Sequence, residues 1–268
     1  MSEAPHESAV EAQVVGPPLR GRAGLLQRHP WITFLLPLVV FLLVGVFEPT
    51  REAPGGHAIG LAIPYVHYPS IYTLKILLTL LSIAFVLPGY REFPLRVTLL
   101  AILTGLVGIV VWVGLCSLRL EQRLLVPLGL GRLVGLGARA GFNPFEQLQG
   151  HPAWAWGFLV VRFVGLVAVV PLVEEFFLRG FLMRFVMAAR WWEVPMGKAN
   201  AGAVLLATAI PMLMHPAEIF AAAAWFSMIT WMYLKTRSVW DCVAAHAVTN
   251  LLLGIYVVTV GGEAWQLI

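Results

Sequence analysis

Charge is what this sequence is short of. Only 12% of its 268 residues are Asp, Glu, Lys or Arg, while 59% are hydrophobic, and the mean hydropathy is +0.83. A soluble domain of this length carries about 25% charged and about 45–50% apolar residues. A single soluble core has no room for the surplus, so the composition excludes an ordinary soluble protein and points to a bilayer. Cysteine is also scarce. Cys116 and Cys242 both lie inside apolar runs with no short spacing between them, which excludes a zinc knuckle or a redox pair and reads as two core thiols. No repeat period is visible, and no stretch alternates as a strand would.

The formal charge of +4 does not point to nucleic acid. The basic residues lie between the hydrophobic runs, where they act as topology signals. The first 30 residues are polar and hold Gly16, Pro17, Pro18 and Gly21, so they are expected to form a disordered cytoplasmic tail. The first apolar run follows a long mixed-charge lead, which does not fit a cleavable signal peptide.

A membrane helix needs about 20 mainly apolar residues. Seven runs qualify as candidates: 31–47, 71–89, 97–116, 156–184, 200–214, 217–234 and 240–260. The expected fold is therefore all-α, a polytopic bundle of about seven (six to eight) membrane helices over residues 31–268, with a catalytic core at about 155–255. Arg20, Arg22 and Arg28, then Arg91 and Arg96, then Arg184, Arg190 and Lys198, then Lys235 and Arg237 occupy alternate connections. That places the N-terminus in the cytoplasm and the end of the last run outside. Residues 117–153 depart from the pattern with Arg119, Arg123, Arg132 and Arg139, and are expected to hold a surface helix.

Ionisable groups inside a membrane cost at least about 2.5–3.5 kcal/mol each at a helix centre and are functional candidates by default. Three clusters stand out. Glu174, Glu175 and Arg179 come first. Four-residue spacing sets Glu175 beside Arg179, whereas Glu174 points roughly 140° away from that arginine. One carboxylate is thus neutralised and the other left free, and a free carboxylate in a low dielectric suits a general base. The second cluster is His215-Pro216-Ala217-Glu218. Pro216 disfavours helix at His215, so the imidazole sits at a break and is free to face a cavity, while Glu218 falls in the first turn of the next helix. The third is His246 with Asn250, four residues apart on one face, two donors suited to an oxyanion. Each cluster also has a structural reading: an interfacial salt bridge, a satisfied turn histidine, and an interhelical polar clamp. Counted from the cytoplasmic charges, Glu174 lies roughly 15–24 Å deep, His215 roughly 25 Å, and His246 and Asn250 roughly 14 and 20 Å. The clusters overlap near mid-membrane.

Together they resemble the CPBP family (CAAX proteases and bacteriocin-processing enzymes, also called Abi) of intramembrane glutamate proteases. The family pattern is Glu-Glu-x-x-x-Arg, then Phe-x-x-x-His, then His-x-x-x-Asn/Asp on successive membrane helices. Glu174, Glu175 and Arg179 meet the first motif, and His246 and Asn250 the third. The second is met by His215 alone, because the position four before it is Pro211. The resemblance covers about residues 155–255. It implies a peptidase in which Glu174 and His215 activate a water, His246 and Asn250 hold the oxyanion, and Glu175 with Arg179 orders the site. It implies no metal or cofactor and no nucleic acid, and a membrane-embedded or lipid-anchored protein or peptide as substrate. His-Pro-x-Glu and the late Trp-Asp-x-x-x-x-His are similar to a bacterial subgroup that accompanies exosortase sorting systems, which implies a bacterial inner membrane. Two other readings use the same residues. Glu174, His215 and His246 are a possible zinc triad, although the His-Glu-x-x-His spacing is absent. A transporter or scaffold is the non-enzymatic alternative, although it would often carry an internal repeat.

Overall fold

A computed structural model describes residues 21–49, 63–131 and 141–268. Arg20, Arg51, Arg132 and Arg139, and the tail before Gly21, lie outside the described residues. The described residues contain helices and no strand, a polytopic bundle of α1 (Gly21–Arg28), α2 (Trp31–Gly45), α3 (Tyr68–Tyr90), α4 (Leu99–Ser117), the short α5 (Leu120–Leu124) and α6 (Pro144–Gln147), α7 (Pro152–Phe185), α8 (Ala201–Met214), α9 (Ile219–Thr236) and α10 (Val239–Val260).

All seven expected runs are helical, but their number as full spans is lower. Five helical stretches are long and apolar enough to cross a membrane among the described residues, or six if α1 and α2 count together across their 96° bend. The physical reason is proline. Pro30 follows His29 at the bend between α1 and α2, and Pro216 follows His215 where α8 stops after 14 residues. α1 itself falls in the segment expected to be disordered. Its Leu26 is buried and Arg22 donates to the Ala84 carbonyl of α3 at 3.2 Å, so the helix is held by tertiary contact. The surface helix expected in 117–153 is reduced, among the described residues, to the single turns of α5 and α6.

The lipid-facing surface is apolar. Leu81, Leu99, Val110, Leu205 and Leu213 are each about two-thirds or more exposed, which a bilayer covers and water would not. Inside, rings fill the space. Phe176 is fully buried and stacks on Tyr90 at 3.9 Å, with Phe34, Phe93 and Trp240 around it. α4 and α10 pack along each other. Their starts are tied by Asp241, which accepts from the Thr98 backbone N–H at 2.7 Å and from its hydroxyl at 3.1 Å. The helices come close because Gly105 has no side chain: a Cβ there would lie 2.7 Å from the Ala245 carbonyl oxygen. Close approach at small residues is the usual way membrane helices gain packing.

α7 is 34 residues long and is not a uniform α-helix. Gly165–Val169 and Phe176–Leu182 are π-helical. The first π turn precedes Pro171, whose ring would otherwise meet the carbonyl four residues before it. Glu174 and Glu175 sit on the α-helical stretch between the two.

Gly105→Leu is expected to destabilise the detergent-solubilised protein by about 1–3 kcal/mol through overpacking. Thermal unfolding checks it, with the lipid-facing Val110→Leu, at 71% exposure, as the control that leaves the melting temperature unchanged.

Candidate active site

Glu175 is the most enclosed acid of the site, with no measurable exposure. Its Oε2 lies 2.7 Å from an Arg179 Nη, off the line a hydrogen bond prefers, so the contact is one of charge. Its Oε1 accepts from Nδ1 of His246 at 2.9 Å. The pairing with Arg179 read from the four-residue spacing is therefore present. The bond to His246 links α7 to α10 and was not read from the sequence, because nothing in the chain says which histidine faces which carboxylate. Arg179 is also fully buried and spends its other Nη on the Thr230 hydroxyl at 3.1 Å and the Phe226 carbonyl at 3.4 Å, both on α9.

Glu174 has none of these partners. It is 7% exposed, and no donor or cation among the described residues bonds it. It lines a cavity of about 550 Å³ together with His215, Glu218, His246 and Asn250. All four residues expected to act on substrate thus open on one space.

His215 sits where α8 ends, half-buried, with backbone angles outside the helical region. Its Nδ1 is 2.9 Å from the Pro211 carbonyl, which can only accept, so Nδ1 carries a proton and Nε2 presents a lone pair when the ring is neutral. The ring stands edge-on to Trp112 at 5.6 Å and close to Phe226 at 5.8 Å. Pro211, in place of the pattern's Phe, contributes its carbonyl, and the rings against His215 come from α4 and α9.

Asn250 departs from the simplest reading of its two amide hydrogens. Nδ2 donates one to the Leu166 carbonyl at 2.8 Å, inside the first π turn of α7. One N–H is left for a ligand. His246 is similarly half-committed. Its Nδ1–H serves Glu175, so donation to a ligand belongs to Nε2 in the doubly protonated ring.

Sequence reasoning missed several cavity residues. Glu48, Lys75, Trp112 and Arg162 line it too. Arg162 and Lys75 were discoverable, since each is a lone charge inside an apolar run. Trp112 carried no such signal. Among the described residues no group of three His, Cys, Asp or Glu side chains converges closely enough to hold a metal ion, which leaves the zinc triad without geometric support.

No curated protein and no solved structure matches the chain. Residues 155–252 do match one family model, described as Type II CAAX prenyl endopeptidase Rce1-like. The matched segment runs from the start of α7 to the middle of α10 and contains Glu174, Glu175, Arg179, His215, His246 and Asn250. The segment that builds the polar site is thus similar to the Rce1-like type II CAAX prenyl endopeptidases, in line with the CPBP resemblance of its motifs.

Proposed function

We propose that this protein is an intramembrane endopeptidase in which Glu174 is the general base. The observation that supports the reading best is the contrast between two adjacent acids. Glu175 is consumed by Arg179 and His246, whereas Glu174 faces the cavity unpaired. A water held by Glu174 and by the Nε2 lone pair of His215 gives its proton to Glu174 and attacks the peptide carbonyl carbon. The carbonyl oxygen becomes an oxyanion, to which Asn250 donates its remaining amide hydrogen and His246 donates from Nε2. Glu174 then passes the proton to the leaving nitrogen as the C–N bond breaks. The substrate is a membrane-embedded or lipid-anchored protein or peptide, since the site lies within the bundle and is walled by apolar helices. His-Pro-x-Glu and Trp-Asp-x-x-x-x-His support placing the chain with the bacterial subgroup, in an inner membrane.

The cavity is lined from one half of the bundle only. α3 contributes Tyr68, Tyr72 and Lys75 from its first turns, α7 nothing beyond Glu174, and α10 nothing before His246. With the N-terminus in the cytoplasm, the mouth faces the opposite side. Glu263 and Arg190 have side chains 82% and 74% exposed on the two sides. In intact cells, a membrane-impermeant maleimide is expected to label Glu263→Cys and to reach Arg190→Cys only after lysis. The reverse pattern overturns the orientation.

Glu174→Gln is expected to abolish cleavage and leave a folded protein. Glu175→Gln is expected instead to lower stability, because breaking a buried pair costs about 3–5 kcal/mol. Activity and melting temperature measured on both variants separate the roles, and wild-type activity in Glu174→Gln removes the base assignment.

Asn250→Ala is expected to reduce kcat roughly 10²–10³-fold with little change in KM, as for loss of one oxyanion donor. Asn250→Asp replaces the donor by an acceptor when ionised, so its activity falls as pH rises through the carboxyl pKa. A large drop in melting temperature with kcat per folded molecule unchanged would assign Asn250 to the bond with Leu166 alone.

A further inference from the structure

Five rings in the cavity lining follow one another in contact. Trp112 of α4 meets His215 with centroids 5.6 Å apart, and His215 meets Phe226 of α9 at 5.8 Å. Phe226 meets His246 of α10 at 6.1 Å, and His246 meets Trp225 at 6.2 Å. All five residues line the cavity. The two imidazoles thus alternate with aromatic side chains, and Phe226 is the ring in the series that meets both of them.

Among the described residues each imidazole has one hydrogen bond, and both use Nδ1. His215 bonds the Pro211 carbonyl at 2.9 Å, and His246 bonds Glu175 at 2.9 Å. One such bond fixes one atom of a ring and leaves the tilt of its plane soft, because the terminal torsion of histidine has a broad profile. Edge-on and tilted ring contacts supply the missing restraint. Phe226 stands at 43° to His215 and at 86° to His246. It is itself firmly held. Its side chain is 1% exposed, and the Arg179 guanidinium carbon lies 5.7 Å from its centroid. Its carbonyl accepts from Arg179 at 3.4 Å and from the Thr230 hydroxyl at 2.7 Å. The network around Glu175 bonds His246 directly, but among the described residues it has no bond to His215. Pro211 gives His215 a carbonyl and no ring. Phe226 spans that gap.

We propose that Phe226 is a positioning residue, whose ring sets the spacing and relative tilt of His215 and His246 so that both Nε2 atoms serve one peptide bond. This deepens the peptidase reading and rests on it, since there His215 helps to hold the water and His246 donates to the oxyanion. Those tasks need fixed geometry, with groups held within about 0.5 Å and about 10–20° of the productive arrangement. A misplacement of about 1 Å costs up to about 10²-fold in rate. The Phe226 side chain has no polar atom to offer a substrate, so its effect reaches the reaction through the two histidines. Trp112 and Trp225 each support one imidazole from the far side, and Phe226 ties the pair to Arg179.

Two measurements on the full chain in detergent separate this role from packing. The first is the proton–carbon NMR spectrum of protein carrying isotope-labelled histidine, in which His215→Gln and His246→Gln assign the two signals. Phe226→Leu and Phe226→Met remove the ring and are expected to move both signals. Trp112→Leu is expected to move that of His215 alone, and Trp225→Leu that of His246 alone. The second is cleavage of an N-dodecanoyl peptide, chosen from a pooled library as one that the wild type cuts and Glu174→Gln does not. Loss of the ring is expected to lower kcat per folded molecule roughly 10–10²-fold, with KM within about twofold. Phe226→Tyr keeps the ring and is expected to restore most of the rate. Phe158→Leu is the control, a fully buried ring outside the cavity lining. It is expected to lower the melting temperature and leave kcat and both signals unchanged. Unmoved histidine signals in the ringless variants overturn the proposal. So does a fall in melting temperature alone with kcat kept, or a Phe226→Tyr no more active than Phe226→Leu. Failure of both ringless variants to fold also overturns it, in favour of packing alone. The spectrum is independent of cleavage. If the wild type cuts no peptide in a Glu174-dependent way, the peptidase reading fails, and the two signals still decide whether Phe226 positions the imidazoles.

Discussion

The buried contact of Glu175 with Arg179 and His246 is the interaction on which the site depends. It joins three helices: α7 supplies the acid and the arginine, α10 the imidazole, and α9 the Thr230 hydroxyl and Phe226 carbonyl that complete the arginine. Charges so enclosed survive only when each has a partner, because desolvation of a lone ion costs several kcal/mol. The network therefore defines one registration of the three helices. A one-turn slip would strand a carboxylate, a guanidinium and an imidazole together. The same network takes up Arg179 and the Nδ1–H of His246 and leaves Glu174 outside it.

Departures from regular helix then shape the cavity. Pro216 ends α8 and leaves His215 outside a helix with its ring turned between Trp112 and Phe226. The π turn at Gly165–Val169 presents the Leu166 carbonyl to Asn250 and orients that amide. Such turns are frequent at functional sites. Each of these irregular backbones is tolerated within the membrane because it is buried in protein or lines a polar cavity.

The bundle is asymmetric along its long axis. The half nearer the starts of α4 and α10 is filled by rings around Phe176 and closed by the Asp241 contacts. The other half opens between α3, α7 and α10 into the cavity, with its aromatic and basic lining. A filled half gives rigidity to the helices that carry the polar groups, and an open half leaves those groups facing a cavity.

Much of this was legible in the chain itself. Hydropathy located all seven apolar helices, because a bilayer demands length and apolarity from each segment separately. The pairing of Glu175 with Arg179 followed from helical spacing, a local property. The break at His215 followed from proline, equally local. Residues far apart in the chain were decided elsewhere. The partner of His246, the acceptor of Asn250, the ring contacts on His215 and the gathering of Glu48, Lys75 and Arg162 at one end of the cavity all depend on which helix faces which. Likewise, α1 is ordered by contact with α3 and not by its own composition, which is polar. Periodicity along one helix reports the face a residue occupies, and only the packing of helices against one another decides what that face meets.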